Sequence, residues 1–299
     1  MWNLTSRVHQ LQSFSTPKFN CYVKRDDELS CGISGTKLRK YSSIVPFLVK
    51  EEVEHLIIIA GPQSNNLLAA LQIARELQLK VTAFLLKPKH GLIQGNFKLS
   101  LMFLEEKDIV WIERSSWFEV ELLALDYLKT QERCSFILNE GANVPQAMDG
   151  AMSLAWDIQR NEKELGFHFD YIFVDAGTGF AAAALINGLA QINHPALIHV
   201  LLLADQEEVF SVKLNQWINA YPNNFRCFYP STARAFGSIN QTIKNEIKRL
   251  AKEEGVLSEP IYSAKLFYET RRYIKEYQLQ GTGLIIHSGG LLTMTGFSL

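Results

Sequence analysis

Short apolar runs alternate along this chain with longer stretches of helical periodicity, and that alternation leaves few folds open to it. The runs lie at His55 to Ala60, Val81 to Leu86, Ile109 to Ile112, Ser135 to Leu138, Tyr171 to Val174, Leu197 to Leu203, Phe225 to Tyr229 and Leu284 to His287. Between them the spacing predicts helices near 64–78, 93–105, 116–130, 145–163, 179–191, 207–220, 239–255 and 262–279. Strand, helix, strand at this regularity predicts parallel sheets flanked by helices, because parallel neighbours need a crossover connection. Ile57 to Ile59 and Leu201 to Leu203 are apolar at every position rather than alternating, as expected of strands buried on both faces. The expected fold class is α/β.

At 299 residues the chain is long enough for two lobes of about 150 residues each. No Gly-, Ser- or Pro-rich linker separates them and no internal repeat is visible, so the lobes are expected to share one continuous chain. The composition, 47% hydrophobic with 30 basic against 31 acidic residues, is that of a folded protein without the basic excess that nucleic-acid binding needs. Residues 1–10 lack the apolar core of a signal peptide and no run reaches the 18 apolar residues of a membrane span, so no membrane partner is expected and a cytoplasmic protein is. The cysteines, Cys21, Cys31, Cys134 and Cys227, form no C-x-x-C pair, and the histidines are dispersed, so reduced thiols and no metal site are expected.

Polar and glycine-containing corners fall at predicted strand ends, where open α/β sheets place ligands. They are Ser34-Gly35-Thr36-Lys37, Gly61-Pro62-Gln63-Ser64-Asn65-Asn66, Asn139-Glu140-Gly141-Ala142-Asn143, Gly177-Thr178-Gly179 and His287-Ser288-Gly289-Gly290. Gly177, Thr178 and Gly179 follow a strong strand and open a helix of small residues, a pattern that serves as an anion cradle or as a plain turn. Four polar residues in a row, Gln63 to Asn66, are more than one helix cap requires and suggest a ligand loop. Lys37 precedes Arg39 and Lys40 at a predicted helix start, where neighbouring cations and the helix end would lower an amine's pKa; a solvated basic turn explains the same residues.

Taken together, Lys24-Arg25-Asp26-Asp27, Ser34 to Lys40, and Gly61 to Asn65, with Ser64 standing 27 positions after Lys37, resemble the pyridoxal-phosphate enzymes of the 1-aminocyclopropane-1-carboxylate deaminase and D-cysteine desulfhydrase family. Gly95-Asn96 with Leu99, Glu140 to Asn143, Ala176 to Gly179, Glu259 to Lys265 and His287 to Gly290 resemble later blocks of that family, so the likeness runs from about residue 20 to the C-terminus. The resemblance implies the two-lobed, tryptophan synthase beta-like architecture of fold type II. Its large cofactor lobe would be 1–40 with 151–299, and a smaller lobe, 41–150, would be inserted. A homodimer is the family's expectation.

By that resemblance Lys37 holds pyridoxal 5'-phosphate covalently and then moves the substrate's α-proton. Asn65 would meet the cofactor's phenolic oxygen, Ser64 and Gln63 the carboxylate of a small amino-acid substrate, and Gly177, Thr178 and Gly179 the phosphate. Tyr262 matches an active-site tyrosine, and Ser263 stands where the residue facing the pyridine nitrogen is expected. Ring-opening members of the family carry glutamate at that position and leucine at the position of Ser288; desulfhydrase-like members carry small hydroxyl residues at both. A serine there is expected to favour a neutral pyridine.

Phe236 replaces the usual second tyrosine, Thr36 the usual asparagine before the lysine, and Phe180 a small residue of the phosphate loop. The function the resemblance implies is α-proton abstraction and β-elimination from a small amino acid, as in D-cysteine desulfhydrase, releasing pyruvate, ammonia and sulfide. Ring opening of 1-aminocyclopropane-1-carboxylate is the alternative, and a cofactor-binding protein without turnover is the second.

Overall fold

In the computed structural model, residues 2–30, 32–33, 35–88, 93–218 and 224–298 are described. Ser34, Cys31 and the end of the helix expected over 207–220 lie outside them. In chain order the elements are β1 (Val8–Gln10), β2 (Phe19–Lys24), α1 (Thr36–Lys50), β3 (His55–Ala60), α2 (Asn65–Glu76), β4 (Lys80–Leu86), α3 (Gly95–Ser100), β5 (Ile109–Ile112), α4 (Val120–Lys129) and β6 (Ser135–Leu138). There follow α5 (Met148–Leu165), β7 (Tyr171–Ala176), α6 (Phe180–Gln191), β8 (Leu197–Leu202), α7 (Glu207–Trp217), β9 (Phe225–Phe228), α8 (Gln241–Glu254), α9 (Ser263–Glu276) and β10 (Gly281–Ile286). Among the described residues, no helix is long and apolar enough to cross a membrane.

Two compact units divide the chain. The first comprises the segment up to Arg39 and Ala151–Leu291; the second comprises Lys40–Gly150 and Leu292–Ser298. Six strands form the sheet of the first unit in the order β1-β2-β10-β7-β8-β9, parallel except for β1 against β2. The second unit's sheet has four parallel strands in the order β5-β4-β3-β6.

Alternate residues of the first unit's central strands feed two separate cores. Ile172, Val174, Ile198 and Val200 pack with Ile158, Leu185, Ile186 and Leu214 from α5, α6 and α7. On the opposite face Phe173, Leu201 and Ile285 pack with Leu250, Leu266, Phe267 and Ile274 from α8 and α9. Helices on both faces leave no side of β8 for water, which is why its sequence shows no alternation. In the second unit β3 is likewise buried at every position.

Strands β1 and β2 and the body of α1 are not revealed by periodicity, and in β2 the reason is a buried polar network. Lys24, at the end of β2, is fully buried; its ammonium pairs with Asp157 and donates to Asn161 Oδ1 at 2.5 Å and Ser6 O at 2.7 Å. Arg39 grips Asp26 with Nε at 2.6 Å and Nη2 at 2.8 Å, and Nη2 also reaches Asp157 at 2.8 Å. These contacts tie the end of β2, the first turn of α1 and the middle of α5 into one charged core. Arg39 is therefore spent inside the protein, and Lys40 donates to Gly141 O at 2.7 Å and Asn143 Oδ1 at 3.3 Å within the second unit. The basic cluster read from the sequence is accordingly not a cationic patch, and the Glu140 to Asn143 corner anchors α1.

Burial alone would raise the Asp157 carboxyl, but Lys24, the Ser6 amide and Arg39 outweigh it and hold it below the usual carboxylate value. A group depressed in this way stabilises the fold above its unfolded pKa and loses that contribution as pH falls through the folded value. Asp157→Asn leaves two buried cations short of a counter-charge and is expected to cost about 3–5 kcal/mol in urea unfolding at neutral pH. The difference from wild type should shrink as pH falls below the usual carboxylate range. An equal loss at acid and neutral pH would show that the charge is not what matters.

Candidate active site

In the first unit the site is built where two neighbouring parallel strands end. β7 and β10 pair with Leu284 opposite Ile172, so the loops leaving their C-terminal ends emerge side by side. From β7 comes Gly177-Thr178-Gly179, and from β10 comes His287-Ser288-Gly289-Gly290. Gly179 is the N-cap of α6 in a left-handed conformation, φ 87, and brings no side chain to cap the helix. The first amide groups of α6 therefore lack a side-chain acceptor from that position and suit an anion. A Cβ on Gly177 would come within 2.8 Å of the Tyr262 ring, so the glycine lets that ring lie against the loop.

The start of α1 docks on the same loops. Thr36 N donates to Ser288 O at 3.2 Å, and a Cβ on Gly35 would lie 1.7 Å from that oxygen, so only bare backbone fits there. The docking brings Lys37, the second residue of α1, to the end of β10. Lys37 is partly buried. Desolvation lowers its ammonium below the ordinary lysine value, and Asp175 restores only part of the loss. Its lowered basicity thus comes from burial and not from Arg39 or Lys40.

Asp175, the penultimate residue of β7, was not anticipated. Its carboxylate accepts from Ser288 Oγ at 2.8 Å. Burial raises its pKa; the Ser288 hydrogen bond, Lys37 and His287 oppose that rise. The one signal in the sequence is an acid within the otherwise apolar run Tyr171 to Ala176, immediately before the glycine loop.

Tyr262 and Phe236 meet edge to face, with ring centroids 5.8 Å apart and planes at 68°. Ser263 is fully buried, and its hydroxyl is turned into its own loop. Oγ accepts from Glu259 N at 2.9 Å and lies 3.3 Å from both Glu259 O and Oε1. The Glu259 carboxylate accepts the amides of Ile261, Tyr262 and Ser263 at 2.7 to 2.8 Å. Burial nonetheless raises it to about 7. The hydroxyl of Ser288 is therefore more open to a ligand than that of Ser263.

In the second unit, Gly61 to Asn66 link β3 to α2. Ser64 is the N-cap of α2, its oxygen accepting from Asn66 N at 3.1 Å and Leu67 N at 3.3 Å, which leaves its hydrogen to be given elsewhere. Asn65 has a defined orientation. Asn96 Nδ2 donates to Asn65 Oδ1 at 2.8 Å and lies 3.2 Å from the carbonyl of Gln63, which can only accept, so the amide assignment follows from the network. Thr293 Oγ1, from the C-terminal segment, donates to the same Asn65 oxygen at 3.0 Å. The carbonyl side of Asn65 is thereby engaged, and its NH2 is the end it offers. Gln63 is exposed and held by Nε2 on Gln94 O at 2.9 Å. The roles of Asn96 and Thr293 could not be read from spacing, because 31 and 228 positions separate them from Asn65.

The family described as pyridoxal-phosphate dependent enzyme matches residues 5–289. The 1-aminocyclopropane-1-carboxylate deaminase of Cyberlindnera saturnus is 25% identical over 98% of this chain and 92% of its own. Among solved structures, an ACC deaminase homologue aligns with a TM-score of 0.86 at 22% identity, over 98% of this chain and 91% of that one. A hydrogen sulfide-producing enzyme from Fusobacterium nucleatum aligns with a TM-score of 0.67 at 15% identity, over 96% and 95%. These two likenesses concern the fold. Because the family match spans nearly the whole chain, the protein belongs to the pyridoxal-phosphate dependent enzymes.

Proposed function

We propose that this enzyme takes the α-proton from a small amino acid and expels a β-substituent, with D-cysteine as the model substrate and pyruvate, ammonia and sulfide as products. The observation that carries the reading is a partly buried amine of lowered basicity, Lys37, on a helix start docked beside the glycine loop of β7. That combination fits pyridoxal phosphate. Lowered basicity gives an amine that can hold an aldehyde carbon at neutral pH, and a helix start led by a glycine, as α6 is, suits a phosphate. Bound pyridoxal phosphate supplies an electron sink for the carbanion left when the α-proton departs.

The chain's residues divide the remaining work. Lys37 anchors the cofactor and serves as the base that moves the α-proton. The amides of Gly177 to Gly179 and the Thr178 hydroxyl would hold the phosphate. By resemblance, Asn65 would donate from its oriented NH2 to the phenolic oxygen, and Ser64, its oxygen occupied by the α2 amides, would give its hydrogen to the substrate carboxylate with Gln63. Tyr262 serves as the phenol next to the reacting carbons. Phe236, against its edge, offers no second hydroxyl.

A thiolate leaves as a stable anion, whereas opening a carbon ring expels a carbon that must be protonated. One phenol instead of two therefore favours β-elimination. Ser288 supports the same preference by resemblance; Ser263, turned into its own loop, carries little weight. Ring opening of 1-aminocyclopropane-1-carboxylate is the second reading, favoured by the name of the Cyberlindnera saturnus relative.

Wild-type protein is expected to show the visible absorbance of bound cofactor, and Lys37→Ala to lose that band and about 10²–10⁴-fold in turnover. A wild type that takes up no cofactor overturns the proposal. D-cysteine should yield pyruvate and sulfide faster than 1-aminocyclopropane-1-carboxylate yields 2-oxobutanoate, and the reverse order establishes ring opening. Phe236→Tyr should raise the ring-opening rate relative to elimination.

Thr293→Val removes one of the two donors that orient Asn65. Cofactor affinity, titrated by absorbance into the cofactor-free enzyme, should weaken about three- to tenfold, as expected for one hydrogen bond worth about 1 kcal/mol net. Unchanged affinity would show that the cofactor does not depend on the Asn65 amide being held.

A further inference from the structure

Ser288 has one hydroxyl hydrogen, and it is given to Asp175 Oδ1 at 2.8 Å. Toward a ligand at the end of β10 the Ser288 oxygen can then only accept. A serine without a carboxylate behind it would be free to donate to an unprotonated nitrogen. This one is set for a nitrogen that carries a hydrogen.

The surroundings keep Asp175 in that role. Three titratable groups face it: Lys37 from α1, His287 from the end of β10 and Glu259 from the turn before α9. The His287 ring is held by backbone at both nitrogens, with Nε2 donating to Leu257 O at 2.7 Å and Nδ1 accepting from Gly289 N at 3.3 Å. Glu259 is spent on three amides. Lys37 is the group the proposed function commits to the cofactor. A carboxylate whose burial is only partly offset by these neighbours favours a further positive group, and Ser288 is the contact through which it can act.

We propose that Asp175 is a positioning residue that, through Ser288, holds the ring nitrogen of pyridoxal phosphate in its protonated form. The inference rests on the cofactor reading above and moves the contact to the ring nitrogen from Ser263, whose hydroxyl is turned into its own loop, to Ser288, so the neutral pyridine expected of Ser263 no longer follows. The step is one proton transfer: an N–H bond forms on the ring nitrogen at the expense of an O–H bond of hydronium, while Ser288 keeps its hydroxyl hydrogen directed at the Asp175 carboxylate. The positive ring nitrogen makes the cofactor a stronger acceptor of the electron pair released with the α-proton.

The test is the ring-nitrogen chemical shift of 15N-labelled pyridoxal phosphate bound to wild type, Asp175→Asn and Ser288→Ala, recorded through the neutral pH range. Wild type should show a protonated nitrogen at neutral pH. Both variants should keep the cofactor's absorbance but move the midpoint of the nitrogen's titration down by about one pH unit or more, a tenfold change in the proton equilibrium. An unprotonated nitrogen in wild type, or a midpoint unmoved in Asp175→Asn, overturns the inference while leaving the cofactor reading intact. Failure of wild type to bind cofactor overturns the proposed function instead. If Asp175→Asn unfolds by circular dichroism, wild type and Ser288→Ala still decide.

Discussion

Lys37 reaches the end of β10 because of a buried charge network centred on Asp157. Arg39, two residues beyond Lys37, is gripped by Asp26 and Asp157, and Asp157 also takes the ammonium of Lys24. A planar guanidinium held at both edges fixes the rotation of the first turn of α1 about its axis. Thr36 then bonds the Ser288 carbonyl, with Gly35 giving the backbone room to approach. Desolvating these charges is costly, and it is offset only while every partner is present. The Lys37 amine inherits its position from that arrangement.

The same logic recurs at smaller scale, with each candidate side chain oriented by another. Thr293 and Asn96 turn the amide of Asn65, the α2 amides occupy the oxygen of Ser64, and Asp175 takes the hydrogen of Ser288. A hydroxyl or amide whose one end is engaged offers a defined donor or acceptor at the other. Orientation of this kind is what a catalyst requires of its polar groups, since misdirected dipoles must reorganise during the reaction.

The elements most legible in the sequence are three strands of the second unit, one central and two at the sheet's edges. β3, β5 and β6 begin and end where their apolar runs do, because crossovers bracket each of them with polar turns. β2 is hidden by Lys24, a charge that is tolerable in a strand only because Asp157, distant in sequence, lies opposite it. The candidate ligand loops were legible as polar and glycine-rich corners, but their uses were not all alike: Glu140 to Asn143 anchor Lys40, and Ser263 serves its own turn.

From the sequence alone come the α/β class, the two-lobed organisation that resemblance implies, the reactive-lysine candidate and the cofactor, since apolar periodicity and loop composition are local properties. Which cations are spent in the interior, which hydroxyls still face a ligand and which acid stands behind Ser288 were settled only by the tertiary structure. Asp175 and Ser288 are 113 positions apart and meet because β7 and β10 are neighbours in the sheet. Strand order arises from how helices cover the sheet's two faces, and no short stretch of sequence records it.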